Sequence, residues 1–314
     1  MLAVSEPHVS VVVPTMGTRP GRLAALLGAL AAQDVALEVI VGRDPGVTVP
    51  PGPGELSVRT AESAAPASAA AKRNLAWPLA RAPLVAFTDD DCRPAPGWAA
   101  ALLAAHERAP RAFVQGRTEP DPEELGDLWG LARTQEIDRD SPWHETCNIA
   151  YPRELLERLG GFDEGYGLLG GEDTDLGARA LQGGTPKVYV REALVWHAVE
   201  RRSFRQALRE AARTRDQPQV LARFPELRRE LVLHLFTRRS HALLALALAG
   251  ALTRKPLPAA LAAAPYVRFH LDHHRISPAS LVRAATHLPV RALADGVEIA
   301  VVARRGLRRG VIAF

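Results

Sequence analysis

Cysteine is almost absent: only Cys92 and Cys147 occur in 314 residues, too few for a disulfide framework, and both are read as structural residues of a reducing compartment. Met1 to Pro7 lacks the charged head and apolar core of a secretory signal, so the expectation is a cytoplasmic protein. Long hydrophobic runs are missing as well. The leucine- and alanine-rich stretch His241 to Thr253 meets Arg254 and Lys255 well short of the ~20 residues a spanning helix needs, which argues against a simple transmembrane span. There are no internal repeats and no recognised nucleic-acid-binding module, and the basic residues lie among aliphatic stretches with few aromatics, so no nucleic-acid partner is expected.

What is present is ordinary globular material. Hydrophobic residues make up 47% and charged residues 24%, which excludes a disordered chain, and 25 prolines imply many chain reversals. The length suits one large domain or a domain with an appendage. Charge divides the chain in two. Residues 1 to 200 carry 18 basic and 28 acidic side chains, net −10, whereas 201 to 314 carry 21 and 7, net +14. The boundary is therefore drawn there, with a catalytic domain over 1–200 and a helical, basic region over 201–314, each facing different electrostatic partners.

Val9 to Val13 is a continuous β-branched run ending at Pro14, the pattern of a strand covered on both faces. Arg22 to Ala32 reads as a helix, Leu37 to Val41 as a second buried strand and Leu56 to Arg59 as a weak third. Ser68 to Ala80 reads as a helix that Ser68 can cap, and Leu84 to Phe87 as the next strand. Pro45 to Gly54 is a loop and Glu119 to Asp140 an acidic connection. Beyond these lie Asn148 to Tyr151, a helix over Glu154 to Leu159, a helix opened by Gly170 to Asp175 and running to Leu181, and strand-like segments Lys187 to Val190 and Leu194 to His197. Strands alternating with helices predict an α/β fold, a mostly parallel Rossmann-like sheet with helices on both faces, whose ligands bind at the carboxyl ends of the strands. Pro14 to Arg19, Asp44 and Asp89 to Asp91 follow three predicted strands, and each is polar or charged.

Asp89, Asp90 and Asp91 end an apolar strand. That much like charge is costly without a cation or hydrogen-bond donors, and a divalent ion, Mn2+ or Mg2+, suits oxygen ligands and leaves positions for water and phosphate. An exposed acidic turn is the alternative. Glu172, Asp173 and Asp175 either act on substrate or simply favour the positive end of a helix. His197 is either a metal ligand or structural, and Trp143 and His144 either shape a pocket or pack.

Six motifs stand in a fixed order: Val9-Ser10-Val11-Val12-Val13-Pro14-Thr15, the strand ending near Asp44, Lys72-Arg73-Asn74, Thr88-Asp89-Asp90-Asp91, Gly160-Gly161-Phe162-Asp163-Glu164 and Gly171-Glu172-Asp173. In that order, over about Val9 to His197, the chain resembles the family 2 glycosyltransferases of the GT-A fold, inverting enzymes that use nucleotide sugars. The resemblance implies that Pro14, Thr15, Arg19, Asp44 and Arg73 line the nucleotide pocket, with Asp44 accepting from the base. Asp89 and Asp91 match the family's D-x-D motif, the last acid binding the metal and the first reaching ribose or a metal-bound water, with Asp90 able to take either role. It further implies that Asp173, beside Glu172, is the general base toward an acceptor hydroxyl of a glycan, lipid or small molecule, and that His197 completes the metal site with Asp89 and Asp91. One departure stands out: Arg43 replaces the first of the two acids often found after the second strand, leaving it to pair with a phosphate, meet another base or be solvated.

Two rivals accompany this reading. A nucleotidyltransferase acting on a sugar phosphate needs a glycine-rich basic loop after the first strand, which Pro14 to Pro20 is not; a non-catalytic, membrane-associated nucleotide-sugar-binding protein would keep the fold without turnover. From Arg201 the chain reads as helical and basic. Leu288 to Ala303 carries Arg291, Asp295 and Glu298 and then meets Arg304-Arg305 and Arg308-Arg309, resembling an interfacial helix with a basic flank. Peripheral attachment to an anionic membrane surface, on its inner face, is the expectation, with packing on the catalytic domain or a dimer interface as the alternative.

Overall fold

The computed structural model describes residues 6–127, 131–167, 170–212, 217–271 and 278–314, and of 278–285 the backbone alone. Eight strands, β1 (Val9–Thr15), β2 (Leu37–Arg43), β3 (Ser57–Glu62), β4 (Leu84–Phe87), β5 (Cys92–Pro94), β6 (Phe113–Pro120), β7 (Ile149–Pro152) and β8 (Lys187–His197), form one sheet in the order β3-β2-β1-β4-β7-β6-β8-β5. β7 and β5 run against the other strands. The mostly parallel sheet read from the sequence is thus correct, with two antiparallel strands that short segments between the motifs concealed.

The helices of this part are α1 (Pro20–Ala31), α2 (Ala69–Ala76), α3 (Trp98–Arg108), α4 (Arg153–Leu159) and α5 (Glu172–Gln182). Strand alternation assigns them to faces. Val9, Val11 and Val13 of β1 join Leu23, Leu26, Leu27 and Leu30 of α1 and Trp98 and Leu102 of α3 in one buried cluster. Val12 and Ile40, one residue out of phase, join Ala70 of α2, Leu155 and Leu156 of α4 and Leu176 of α5 in the other. Each fully buried leucine contributes about 1.5–3 kcal/mol, and truncating one such as Leu26 to alanine costs about 2–5 kcal/mol.

Local chemistry sets the element ends. α1 begins at Pro20, two residues before the expected start, because proline at the first helical position gives up an N–H that has no partner there. The Ser68 hydroxyl accepts from the Ala71 amide at 3.2 Å, as the cap reading expected. α2 stops at Ala76 rather than Ala80; Pro78 cannot donate, and a 3-10 turn over Trp77–Leu79 follows. The two strand-like segments at 187–190 and 194–197 are one strand, β8. Its register against β6 slips between them, Gly116 facing Val190 and Arg117 facing Leu194. Asn148 holds this irregularity, its amide donating to Arg117 O at 2.7 Å and Ala193 O at 2.8 Å while its carbonyl accepts from Trp98 Nε1 at 2.9 Å. A Cβ at Gly116 would stand 2.4 Å from Ala193 O, so only glycine fits there. Of the acidic connection, Glu119 and Pro120 end β6 and Pro122–Asp127 forms a 3-10 helix, while 128–130 lie outside the described residues.

The chain divides into two compact units, Met1–Leu125 with Thr134–Val199, and Gly126–Arg133 with Glu200–Phe314. The second is helical: α6 (Phe204–Ala212), α7 (Gln217–Arg223), α8 (Arg239–Leu252), α9 (Pro256–Leu271) and α10 (Pro278–Arg308). Among the described residues, no helix is long and apolar enough to cross a membrane. Two polar residues of α10, Asp295 and Glu298, turn to neighbouring helices, whereas Arg304 and Arg308 of its basic flank are exposed. Asp295 accepts from the Tyr266 hydroxyl of α9, and Glu298 lies beside His241 of α8.

Candidate active site

The carboxyl ends of β1, β2 and β4 place Thr15, Asp44 and Asp89 to Asp91 on the same edge of the sheet, because these strands are parallel neighbours. α2 then ties the edge together through three consecutive residues. Lys72 Nζ donates to Asp44 at 2.8 Å. Arg73 donates to Asp89 from one nitrogen and to Glu172 from another, both at 2.9 Å. Asn74 exchanges hydrogen bonds with the backbone of Phe162 at 2.8 and 2.9 Å. Lys72 and Arg73 are buried, so each charge needs its partner. Four of the motifs read separately from the sequence, the second strand's aspartate, Lys72-Arg73-Asn74, the acid triplet and Gly171-Glu172-Asp173, are therefore one ion-paired network.

Within the acid triplet the three side chains differ. Asp89 faces Arg73. Asp90 accepts from the Thr15 hydroxyl at 2.5 Å; burial, reinforced by Asp91 and Asp89, pushes its carboxyl above the usual range despite Thr15 and Arg19. Asp91 accepts from Arg19 through one oxygen and turns the other toward His197 Nε2, 3.7 Å away. Burial pushes Asp44 up as well, yet Lys72 and the Ala67 amide, which donates at 2.9 Å, hold it below the ordinary carboxylate value.

His197 reaches Asp91 through strand pairing. β5 runs antiparallel to β8 with Cys92 opposite His197, which brings the residue after the triplet against one more than a hundred positions away. His197 Nδ1 lies 2.9 Å from the Ala198 carbonyl. A carbonyl only accepts, so Nδ1 donates to it and fixes the ring with Nε2 facing Asp91, the arrangement that orients a metal-ligating imidazole. Asp91, Cys92 and His197 offer ligand atoms within 4.8 Å of one another, the grouping of this kind found among the described residues. Two metal–ligand bonds of about 2.1 Å span the Asp91–His197 separation. Cys92 is buried and its sulfur is a soft donor, so the donors that fit a hard oxygen-seeking ion are the carboxylate and imidazole. They suit a divalent ion such as Mn2+ or Mg2+. Asp89, turned to Arg73, is not in this grouping.

Asp173 sits in the first turn of α5, buried, and accepts from the Thr174 amide at 2.8 Å. The approach to it is made by Gly170 and Gly171, whose φ angles of 77° and 115° lie in the left-handed region that other residues avoid. Asp175 points elsewhere, to Tyr166 and Arg179, and is a structural residue of the helix. His144, in the loop before β7, packs its ring edge-on to Phe113, and burial followed by the nearby Lys187 pushes its pKa down to about 3. The Trp143 carbonyl accepts from Thr174. Arg43, left open by the sequence, pairs with Glu62 at 2.5 Å and donates to the Val47 carbonyl at 2.7 Å. Pro14 lies at the same strand end as Thr15, buried.

Sequence reading did not assign the partner of Lys72, nor Cys92 beside the metal-ligand pair, nor the pairing of Arg19 with Asp91. A buried lysine has no local signature, and the other two depend on strand register.

The architecture is that of GT-A glycosyltransferases, a mixed sheet flanked by helices with a helical C-terminal region. Solved structures that share it include a mannosyltransferase, PcManGT, from Pyrobaculum calidifontis in complex with GDP-Man and Mn2+ (19% identity, TM-score 0.55, 96% of this chain and 87% of that one), and S. aureus TarS 1–349 in complex with UDP-GlcNAc (16% identity, TM-score 0.53, 96% and 92%). In sequence, the chain is 30% identical to the validoxylamine A glucosyltransferase of Streptomyces hygroscopicus subsp. jinggangensis (strain 5008) over 60% of its own length and 54% of that protein. The chain spans about half the length of the curated relatives it matches. No protein-family model matches it.

Proposed function

We propose that this chain is an inverting glycosyltransferase that moves a hexose from a nucleoside-diphosphate donor to an acceptor hydroxyl, with residues 1–200 as the catalytic domain. The observation that carries this reading is the double hydrogen bond of Arg73 to Asp89 and Glu172, which makes the acids at the tip of β4 and those opening α5 parts of one site. The donor proteins among its relatives and fold neighbours point the same way: a glucosyltransferase in sequence and structures holding GDP-Man with Mn2+ or UDP-GlcNAc.

Asp91 and His197 are the residues that would hold a divalent ion, with Asp89 close by on Arg73. Bound there, the ion would supply Lewis-acid stabilisation of charge on a diphosphate leaving group. The chain's own residues do the rest. Thr15 and Asp90, joined by their short hydrogen bond, form the floor beneath the nucleotide with Pro14. Asp44 retains lone pairs on its oxygens beyond those given to Lys72 and Ala67, and with them accepts from the base. Arg19, partly exposed, is placed to exchange Asp91 for a phosphate oxygen. Asp173 takes the proton of the acceptor hydroxyl as its oxygen bonds to the anomeric carbon; the bond from that carbon to the diphosphate oxygen breaks on the opposite side, and configuration inverts. No acid is needed on the leaving side, unlike the carboxylate pair of a glycosidase.

Purified protein incubated with Mn2+ and a panel of nucleotide sugars tests the reading. Release of nucleoside diphosphate that depends on an acceptor supports it. Exchange of pyrophosphate instead supports nucleotidyl transfer, and binding without either product supports a non-catalytic sugar-nucleotide receptor.

A further inference from the structure

Beside an ordinary apolar core that includes Leu221, Phe224 and Val302, the C-terminal unit gathers ionisable side chains where α8, α9 and α10 meet. Ser240 and His241 of α8, Tyr266 and His270 of α9, and Asp295 and Glu298 of α10 turn toward one another. The Tyr266 hydroxyl donates to Asp295 at 3.0 Å, His270 lies 3.9 Å from the same carboxylate, and His241 and Arg238 each approach Glu298 at 3.3 Å. Leu244 of α8 is buried, but several other leucines of the same helices face out. Leu252 is 82% exposed, Leu257 69% and Leu261 66%, whereas His241 is 0% exposed. Water favours the opposite arrangement, with leucine inside and ionisable groups outside.

α8 and α9 fold back on one another through Thr253–Lys255. They approach closely, since a Cβ on Gly250 would stand 2.3 Å from that of Ala262. Every residue from Ala251 to Pro258 is exposed, giving a tip of leucine, alanine and proline around Arg254 and Lys255. No acidic residue occurs between Glu230 and Asp272, and 201–314 as a whole carry 21 basic side chains against 7 acidic. The missing counterpart is therefore apolar within and anionic at its surface. A second copy would bring like-charged tips together. A protein groove is the weaker match, since leucine is under-represented among interface hot spots and 201–314 contain no tryptophan.

We propose that the α8–α9 hairpin seats on an anionic lipid bilayer, with Leu252 and Leu257 entering the headgroup boundary and Arg254 and Lys255 meeting lipid phosphates. The seat is shallow, as no described helix is able to cross. It is also a different surface from the stretch Leu288 to Ala303 with its basic flank, to which the sequence pointed. It stands or falls separately from the reaction of the first unit.

Flotation of the full chain with vesicles of phosphatidylcholine and phosphatidylglycerol, against phosphatidylcholine alone, tests it. The wild type is expected to float with the mixed vesicles only. Leu252→Glu/Leu257→Glu should weaken binding by at least about tenfold, since it removes two apolar anchors and adds like charge to the lipid's. Arg254→Ala/Lys255→Ala should weaken it about 25-fold, or about fivefold per cation, corresponding to about 1 kcal/mol each near the surface. Thermal melts accompany each variant; if the glutamate pair does not melt cooperatively, Leu252→Ser/Leu257→Ser carries the same test. The proposal is overturned if the wild type does not float, or if both leucine variants float as it does. A lipid-independent dimer in light scattering that the leucine variants dissolve also overturns it, in favour of self-association.

Discussion

The two units solve opposite electrostatic problems with opposite layouts. In the first, an acidic part of the chain keeps its valines and leucines on two faces of a sheet and gathers its charges at the strand tips, where Lys72, Arg73 and Arg19 neutralise them. In the second, a basic part buries Leu221, Phe224 and Val302 but also holds carboxylates and histidines between helices and leaves Leu252, Leu257 and Leu261 outside. The lesson is that burial of charge marks a site only where the charges face a shared open edge. Asp89 to Asp91 lie at the carboxyl end of β4, on the sheet edge shared with Thr15 and Asp44. Asp295 and Glu298 are enclosed by their own helices and serve packing.

The sharpest break of this contrast is chemical. Asp173→Asn is expected to lower turnover by on the order of 10³-fold while leaving the donor dissociation constant nearly unchanged, measured by acceptor-dependent diphosphate release beside calorimetric donor titration. Equal turnover would remove the base assignment and with it the functional meaning of the first unit's acids. Next in size, Lys72→Met removes one partner of a buried pair and leaves Asp44 uncompensated. A loss of about 3 kcal/mol in denaturant unfolding is expected, confined to segments of the first unit in hydrogen exchange.

A smaller effect separates the units by pH. Burial raises the Glu38 carboxyl, but Ser10, the Arg81 amide and Arg59 more than offset it, so its folded pKa is lowered, as is that of Asp44. Stability from both is complete above the ordinary carboxyl range and drains away as pH falls through their folded values. Asp295 behaves inversely. Burial, aided by Glu298, raises it against His241 and Tyr266, so its cost is greatest at neutral pH and is relieved as pH falls through its raised value. Asp295→Asn should therefore stabilise the second unit at neutral pH by on the order of 1 kcal/mol, and the gain should shrink on acidification in segment-resolved exchange. The smallest effect is expected of Leu252→Ser, within about 0.5 kcal/mol in aqueous melts. A larger loss would mean that this leucine is covered in solution and that the layouts differ less than stated.

Much of the first unit was legible. The unbroken Val9 to Val13 run, the Ser68 cap and the tip residues Asp44 and Asp89 to Asp91 report local periodicity and turn chemistry, which act over a few residues. β5, β6 and α3 escaped notice because they are short or lack a motif, β7 was marked out as Asn148 to Tyr151 without being assigned as a strand, and β8 read as two strands because its irregularity is set by Gly116 and Asn148. Arg43 illustrates the limit: its neighbours in sequence gave three options, and Glu62 on the adjacent strand chose a fourth.

The order of residues alone fixed which groups share a face, since 3.6- and 2-residue periods are properties of the backbone. Arg291, Asp295 and Glu298 were bound to lie on one side of α10, and Val9, Val11 and Val13 on one side of β1. Folding decided what each side meets. Whether a helix's polar side turns to solvent or to two other helices, and whether His197 comes to rest against Asp91, depends on long-range pairing whose energy no local segment contains.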